Sequence, residues 1–190
     1  PKYFPSNVEL NKKGCEDVST IINRSLNPIN INSFNLLKKQ SDILILDVRS
    51  KSLFSEGHIP GSLFIGLEGM FAPWAGTLIE NVKQKIIIIS IKGKEEEAIT
   101  RLARVGFDNV LGFLDGGYDN WVKSSGKIKK IKSISAEKFV SEIRASNNNV
   151  YDVRSEEEFK IGHFPGAKNT PLKNIYKHIP ELKKNSPFYI

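Results

Sequence analysis

Cysteine, histidine and long apolar runs are all scarce in this sequence, and each scarcity removes a class of function. One cysteine, Cys15, among 190 residues excludes an internal disulfide framework and suits a reducing, cytoplasmic setting. The histidines, His58, His163 and His178, are too dispersed to offer metal-ligand spacing, so no metal or other cofactor is expected within the chain. No apolar run approaches the roughly 20 residues that a membrane-spanning helix needs, and no membrane role is expected. Methionine occurs once, at Met70, and the sequence opens on Pro1, so a portion of a longer protein is expected. No basic-then-apolar leader pattern stands near Pro1.

What is present describes a soluble globular chain: 39% hydrophobic and 26% charged residues, with a net charge of +7. The densest basic run, Lys127, Lys129, Lys130 and Lys132 in GKIKKIK, has no aromatic residues interleaved for base stacking. It reads as a solvated linker rather than a phosphate-binding patch, and no nucleic-acid partner is expected.

The most informative feature is a repeat. DVRSKSLFSEGHIPG at Asp47 to Gly61 returns 105 positions later as DVRSEEEFKIGHFPG at Asp152 to Gly166. A period this long exceeds the roughly 20 to 50 residues of solenoid repeats and points to two tandem copies of a small domain. Residues 1–32 lack clean periodicity and read as a connector with one short helix around Val18 to Ser25. Residues 33–126 form the first domain, 127–134 a linker, and 135–190 a second domain expected to stop before its equivalent of the loop after Ser90.

Within the first domain, ILILDV at Ile43 to Val48 and KIIIIS at Lys85 to Ser90 are apolar on both faces, as central parallel strands covered by helices must be. Helical spacing of Ala98, Ile99, Leu102 and Val105 predicts a helix over about Glu95 to Val105, followed by a strand at Asn109 to Leu114 and a last helix with Trp121 and Val122. Alternation of strand and helix gives an α/β fold with a mostly parallel sheet flanked by helices. The second copy repeats this plan with helix Ser135 to Arg144, strand Asn149 to Val153, helix Glu156 to Lys160, a helix near Leu172 to Lys184, and a strand in PFYI, Pro187 to Ile190. A sheet cut short there would leave unpaired strand edges that need covering.

Several residues invite a functional reading. Arg49 and Arg154 follow the strand-end aspartates Asp47 and Asp152, which suits structural ion pairs or backbone contacts. His58 and His163 sit in the repeated turn, where a hydrogen bond tying the turn to the sheet is expected. His178 reads as a surface helix residue, and Cys15 as an incidental thiol in the connector. Trp74, in MFAPWAGTLI, reads either as core or as part of an exposed apolar patch for a neighbouring domain, the latter favoured because flanking Gly and Pro break a helical stripe.

The DVR strand end, Phe54, the GHIPG turn (Gly57 to Gly61), Gly93, LARVGF (Leu102 to Phe107) and NVLGFLDGGYDNW (Asn109 to Trp121) together resemble the rhodanese-like domain family over about Ser33 to Gly126. The resemblance implies a loop after the second long strand that opens with a cysteine carrying sulfur as a persulfide. Here that loop is Ser90, Ile91, Lys92, Gly93, Lys94, Glu95 and Glu96, with serine at the cysteine place and Glu95 where an arginine is often found. A serine hydroxyl cannot form a persulfide, and no histidine lies near it in sequence, so the first domain is expected to be inactive as a sulfurtransferase. Glu95, Glu96 and Glu97 stabilise the start of a helix, or Glu95 or Glu96 folds into the cradle of backbone N–H groups that the resemblance implies for this loop and keeps anions out.

PKYFPSNVELNKKG, FAPWAGTLI and GKEEEAITRLARVGFDNV, followed by a second copy, are similar to the C-terminal part of fusions in which a metallo-β-lactamase-fold domain precedes two rhodanese-like domains, the persulfide dioxygenase–sulfurtransferases of the CstB type. That resemblance implies partners within the parent: the upstream metallo-β-lactamase-fold domain, holding non-haem iron (or zinc), and the downstream remainder of the second rhodanese-like domain. A homo-oligomeric parent is expected. The chain would then be an inert scaffold or docking platform in persulfide detoxification. The alternative is a stand-alone inactive rhodanese-like module that binds or regulates a protein partner.

Overall fold

The computed structural model describes residues 17–145, 149–182 and 188–190. The chain divides into two units between Lys132 and Ser133. Cys15 lies outside the described residues.

In the first unit, β1 (Pro28–Ile29), β2 (Ile43–Asp47), β3 (Leu63–Phe64), β4 (Lys85–Ile89) and β5 (Val110–Leu114) form one sheet in the order β1-β5-β4-β2-β3. Every pairing is parallel. Strand β4 is central, and Ile86, Ile87, Ile88 and Ile89 are each fully buried. Successive side chains of a strand point to opposite faces, so an isoleucine run of this kind needs a helical layer on each side. One face is filled by Ile45, Ile87, Ile89, Ile29 and Leu114 against Phe34 of α2 (Ile31–Leu37) and Trp121 of α6 (Gly117–Lys123). Phe34 meets Trp121 edge-to-face at 5.6 Å. Helices α1 (Val18–Ser25) and α4 (Phe71–Leu78) both pack on α5 (Glu95–Ala103), whose Ala98, Ile99 and Leu102 are fully buried. Complete burial of each such isoleucine or leucine side chain contributes about 1.5–3 kcal/mol.

The segment read as a connector is partly structural. Helix α1 buries Ile21 and Ser25, and β1 extends the sheet by pairing Pro28 with Phe113 and Ile29 with Leu114. A two-residue edge strand containing proline carries no period-2 signal, and proline is tolerated there because an edge strand needs fewer ladder donors. The linker residues also fold back: His58 and Lys129 exchange backbone hydrogen bonds of 2.9 and 3.0 Å, and Ile131 N–H donates to Ser55 O. Trp121 Nε1 donates to Lys127 O at 2.9 Å. The start of the basic run is therefore docked on the first unit.

Trp74 does not stand in a broken segment. Phe71–Leu78 is helical because Pro73 lies in the first turn, where its missing N–H is not required. Trp74 is half-buried, while Met70 beside it is exposed.

The second unit has α7 (Ala136–Ala145), β6 (Asn149–Asp152), α8 (Glu156–Ile161), β7 (Lys168–Asn169), α9 (Ile175–His178) and β8 (Phe188–Tyr189), with 3-10 turns on either side of α9. Its sheet runs β7-β6-β8, all parallel, so β8 stands beside β6 as β4 stands beside β2. The single helix expected near Leu172 to Lys184 is instead three short pieces ending at Glu181. Pro180 cannot supply an interior helical N–H, and residues 183 and 184 lie outside the described ones. Tyr151 is the largest fully buried side chain of this unit.

Candidate functional site

The carboxyl ends of parallel strands collect loops on one side of a sheet, and clefts form where neighbouring connections diverge. In the first unit the ends of β2, β4 and β5 bring together Arg49, the loop after Ser90 and the turn Asp115 to Tyr118. They border a cleft of about 1040 Å³. The far wall comes from Leu53 and Gly57 on one side and Ile128 and Lys130 on the other.

Arg49 supports the cleft rather than reaching into it. Its Nε donates to both Asp47 carboxylate oxygens at 2.9 and 3.1 Å, and its Nη2 donates to Asp47 Oδ2 at 2.7 Å and to Gly57 O at 2.8 Å. Both side chains of the pair are almost wholly buried. A buried charge pair is tolerated when geometry is bidentate and the remaining polar atoms are bonded, and this one meets that condition. The Tyr118 ring covers the guanidinium at 4.0 Å, and burial pushes the Tyr118 phenol pKa up from its ordinary value. His58 stacks on Phe54 at 4.1 Å, and its Nδ1 lies 3.0 Å from Phe54 O. A carbonyl only accepts, so Nδ1 carries the proton. The histidine thus ties the turn to α3 (Lys51–Glu56) rather than to the sheet.

The same arrangement recurs in the second unit. Arg154 donates to both Asp152 oxygens and to Gly162 O at 2.8 Å, and His163 Nδ1 lies 2.8 Å from Phe159 O with its ring stacked at 3.7 Å. Arg154 holds the Asp152 carboxyl below its ordinary value of 3.8, chiefly through the side-chain hydrogen bond. The difference lies in cover: the Arg154 side chain is 46% exposed against 4% for Arg49. Among the described residues of the second unit, no ring takes the place that Tyr118 takes over Arg49.

The loop after β4 holds the chemistry that the sequence singled out. Ser90 is buried at the strand end, and Gly93 adopts φ +86°, a left-handed conformation that glycine reaches without strain. Lys94 N–H closes the turn onto Ile91 O at 3.1 Å. Glu95 then folds back: Ser90 Oγ donates to its Oε1 at 3.1 Å, and Gly93 N–H donates to its Oε2 at 2.7 Å. The neighbouring glutamates behave differently. Glu97 pairs with Lys94 and Arg101, each at 2.7 Å, and its carboxyl pKa is lowered, first by the hydrogen bond from Lys94. Glu96, Ile91 and Lys92 are exposed.

Serine at this place puts a hydroxyl rather than a thiol at the end of β4. Among the described residues no group of three or more His, Cys, Asp and Glu could hold a metal ion. No helix among them is long and apolar enough to cross a membrane. Tyr118 and Ile128 acquire their place at the cleft only through the fold. The one sequence signal for Tyr118 was the Gly116-Gly117 pair, both with positive φ, which turns the chain back over Gly57.

Comparison with known proteins places these observations. The model of the Rhodanese-like domain matches residues 32–124 and again 135–190. A Bacillus subtilis protein, YrkF, named for a proposed role as a sulfur carrier, is 35% identical over 68 residues, which are 35% of this chain and 37% of that protein. The chain thus spans little more than a third of that relative's length. Among solved structures, the rhodanese-like domain of Alr3790 from Anabaena superposes with a TM-score of 0.48 at 22% identity, over 57% of this chain and 86% of that one. EanB in complex with hercynine gives a TM-score of 0.51 at 17% identity, over 82% of this chain and 42% of that one, a likeness of fold.

Proposed function

Because the chain belongs to the rhodanese-like domain family and carries two copies of the domain, we propose that it is the non-catalytic rhodanese-like portion of a larger sulfur-handling protein. In this reading the first unit is a scaffold or docking platform between catalytic domains. The parent would be a persulfide dioxygenase–sulfurtransferase, with non-haem iron (or zinc) in an upstream metallo-β-lactamase-fold domain and sulfur transfer at a cysteine loop completing the second unit. Support for the parent comes from the stretches FAPWAGTLI and GKEEEAITRLARVGFDNV between two repeat copies. The YrkF likeness favours sulfur handling as the setting.

The observation that carries the non-catalytic reading is the pair Ser90 and Glu95. A hydroxyl is far less acidic than a thiol and forms no persulfide, and here it donates to a carboxylate. A second reading, a stand-alone module that binds a protein partner, draws on the cleft rim. Leu53, Ile91, Val122 and Ile128 all line the cleft, and each is more than a third exposed. That apolar rim offers contact surface to a partner's side chain.

A peptide map of the native gene product separates the two. A histidine-rich metal motif before Pro1 and a cysteine loop after Ile190 are expected. A product that has neither removes the persulfide dioxygenase parent and leaves the binding module.

A further inference from the structure

The sequence leaves open whether the glutamates after Lys94 only stabilise the helix start or turn a carboxylate into the loop, and the structure shows Glu95 turned onto it. Glu95 is half-buried at the start of α5, and both of its oxygens are engaged with the loop rather than with a cation, on the bonds the structure records: Ser90 Oγ at 3.1 Å and Gly93 N–H at 2.7 Å. Its neighbours two positions either side, Gly93 and Glu97, show that this is selective. Glu97 in the same helical turn pairs with Lys94 and Arg101, while Glu95 is the carboxylate turned onto the loop, in a cleft that Arg49, Lys92, Lys123 and Lys130 also line.

We infer that Glu95 is the loop's own resident anion, and that this carboxylate, together with Ser90, determines what the first unit accepts by excluding oxyanions and any thiolate at position 90. The inference deepens the non-catalytic reading and rests on it. A negative charge about 3 Å from the side chain at position 90 opposes a second negative charge there, because like charges at such a distance disfavour joint ionisation. The Gly93 N–H that would stabilise an incoming anion already donates at 2.7 Å. Restoring a thiol by Ser90→Cys therefore does not restore a reactive thiolate while the Glu95 carboxylate faces it.

The test compares Ser90→Cys with Ser90→Cys/Glu95→Gln, both in a Cys15→Ser background so that one thiol remains. Glutamine keeps the shape of the side chain and its acceptor for Gly93 N–H while removing the charge. Thiolate formation is followed by its ultraviolet absorbance as pH is raised, a readout that needs no reagent to reach the buried site. Trp121 fluorescence confirms that each variant is folded. With Glu95 present the thiol is expected to ionise above the ordinary value of about 8.5. With Glu95→Gln it is expected at least about one pH unit lower. Equal ionisation in the two variants overturns the inference while leaving the inactivity of the native chain untouched. As a second measurement on the native chain, thiosulfate is titrated against the Gly93 amide resonance. No saturable shift is expected, and saturation at millimolar thiosulfate contradicts the inference.

Discussion

The aspartate–arginine pairs of the two units are alike in every bond and differ in what lies over them. Tyr118 closes the first unit so tightly that a Cβ on Gly57 would lie 2.1 Å from its hydroxyl, whereas a Cβ on the equivalent Gly162 meets nothing within 4 Å. Both glycines have extended backbones, so the contrast is one of space. Gly57→Ala is expected to displace Tyr118 from Arg49 and to destabilise the first unit by about 1–3 kcal/mol. Gly162→Ala is expected to stay within about 0.5 kcal/mol of the native chain. Urea unfolding followed by tryptophan fluorescence reads the first, since Trp74 and Trp121 both lie in the first unit. Amide resonances of the second unit read the other, and equal costs would contradict the role given to Tyr118. The aspartates, arginines and histidines were legible in the sequence because they recur at one fixed offset. Tyr118 was not, since its role exists only when the turn after β5 reaches across β4 to Arg49 at the end of β2.

At the level of elements, strands β2, β4 and β5 were legible because their apolar runs fit no exposed structure. β1 and α4 were not, for physical reasons: two residues carry no period, and Pro73 reads as a breaker unless it is known to fall in a first turn. Ser90 was identified through the resemblance to the rhodanese-like family, by counting back from Gly106 and Phe107, but whether Glu95 or Glu96 turns inward depends on how the side chains are placed at the start of α5. The strand-end pair of the second unit carries a pH dependence. Asp152 has its folded-state pKa depressed, first by the hydrogen bond from Arg154. Its contribution is therefore complete above the ordinary value of 3.8 and fades as pH falls through the lower folded value. In an NMR titration of the whole chain, Asp152 is expected to titrate below 3.8 and to move back toward it in Arg154→Gln. An unchanged titration in that variant would count against the pair as an anchor between β6 and the end of α8.

At the scale of the molecule, the chain is two rhodanese-like units, the first with a five-stranded parallel sheet and a cleft at its carboxyl end. The buried pair of Asp47 and Arg49 borders that cleft, and Glu95 accepts hydrogen bonds from Ser90 and Gly93 in the loop after β4. The most direct measurement is thiocyanate formation from thiosulfate and cyanide by this chain, with and without Cys15→Ser. The account predicts no turnover above the reagent blank in either case. Turnover that survives Cys15→Ser would contradict it, because it would require a sulfur carrier other than a thiol in a chain that has no second cysteine.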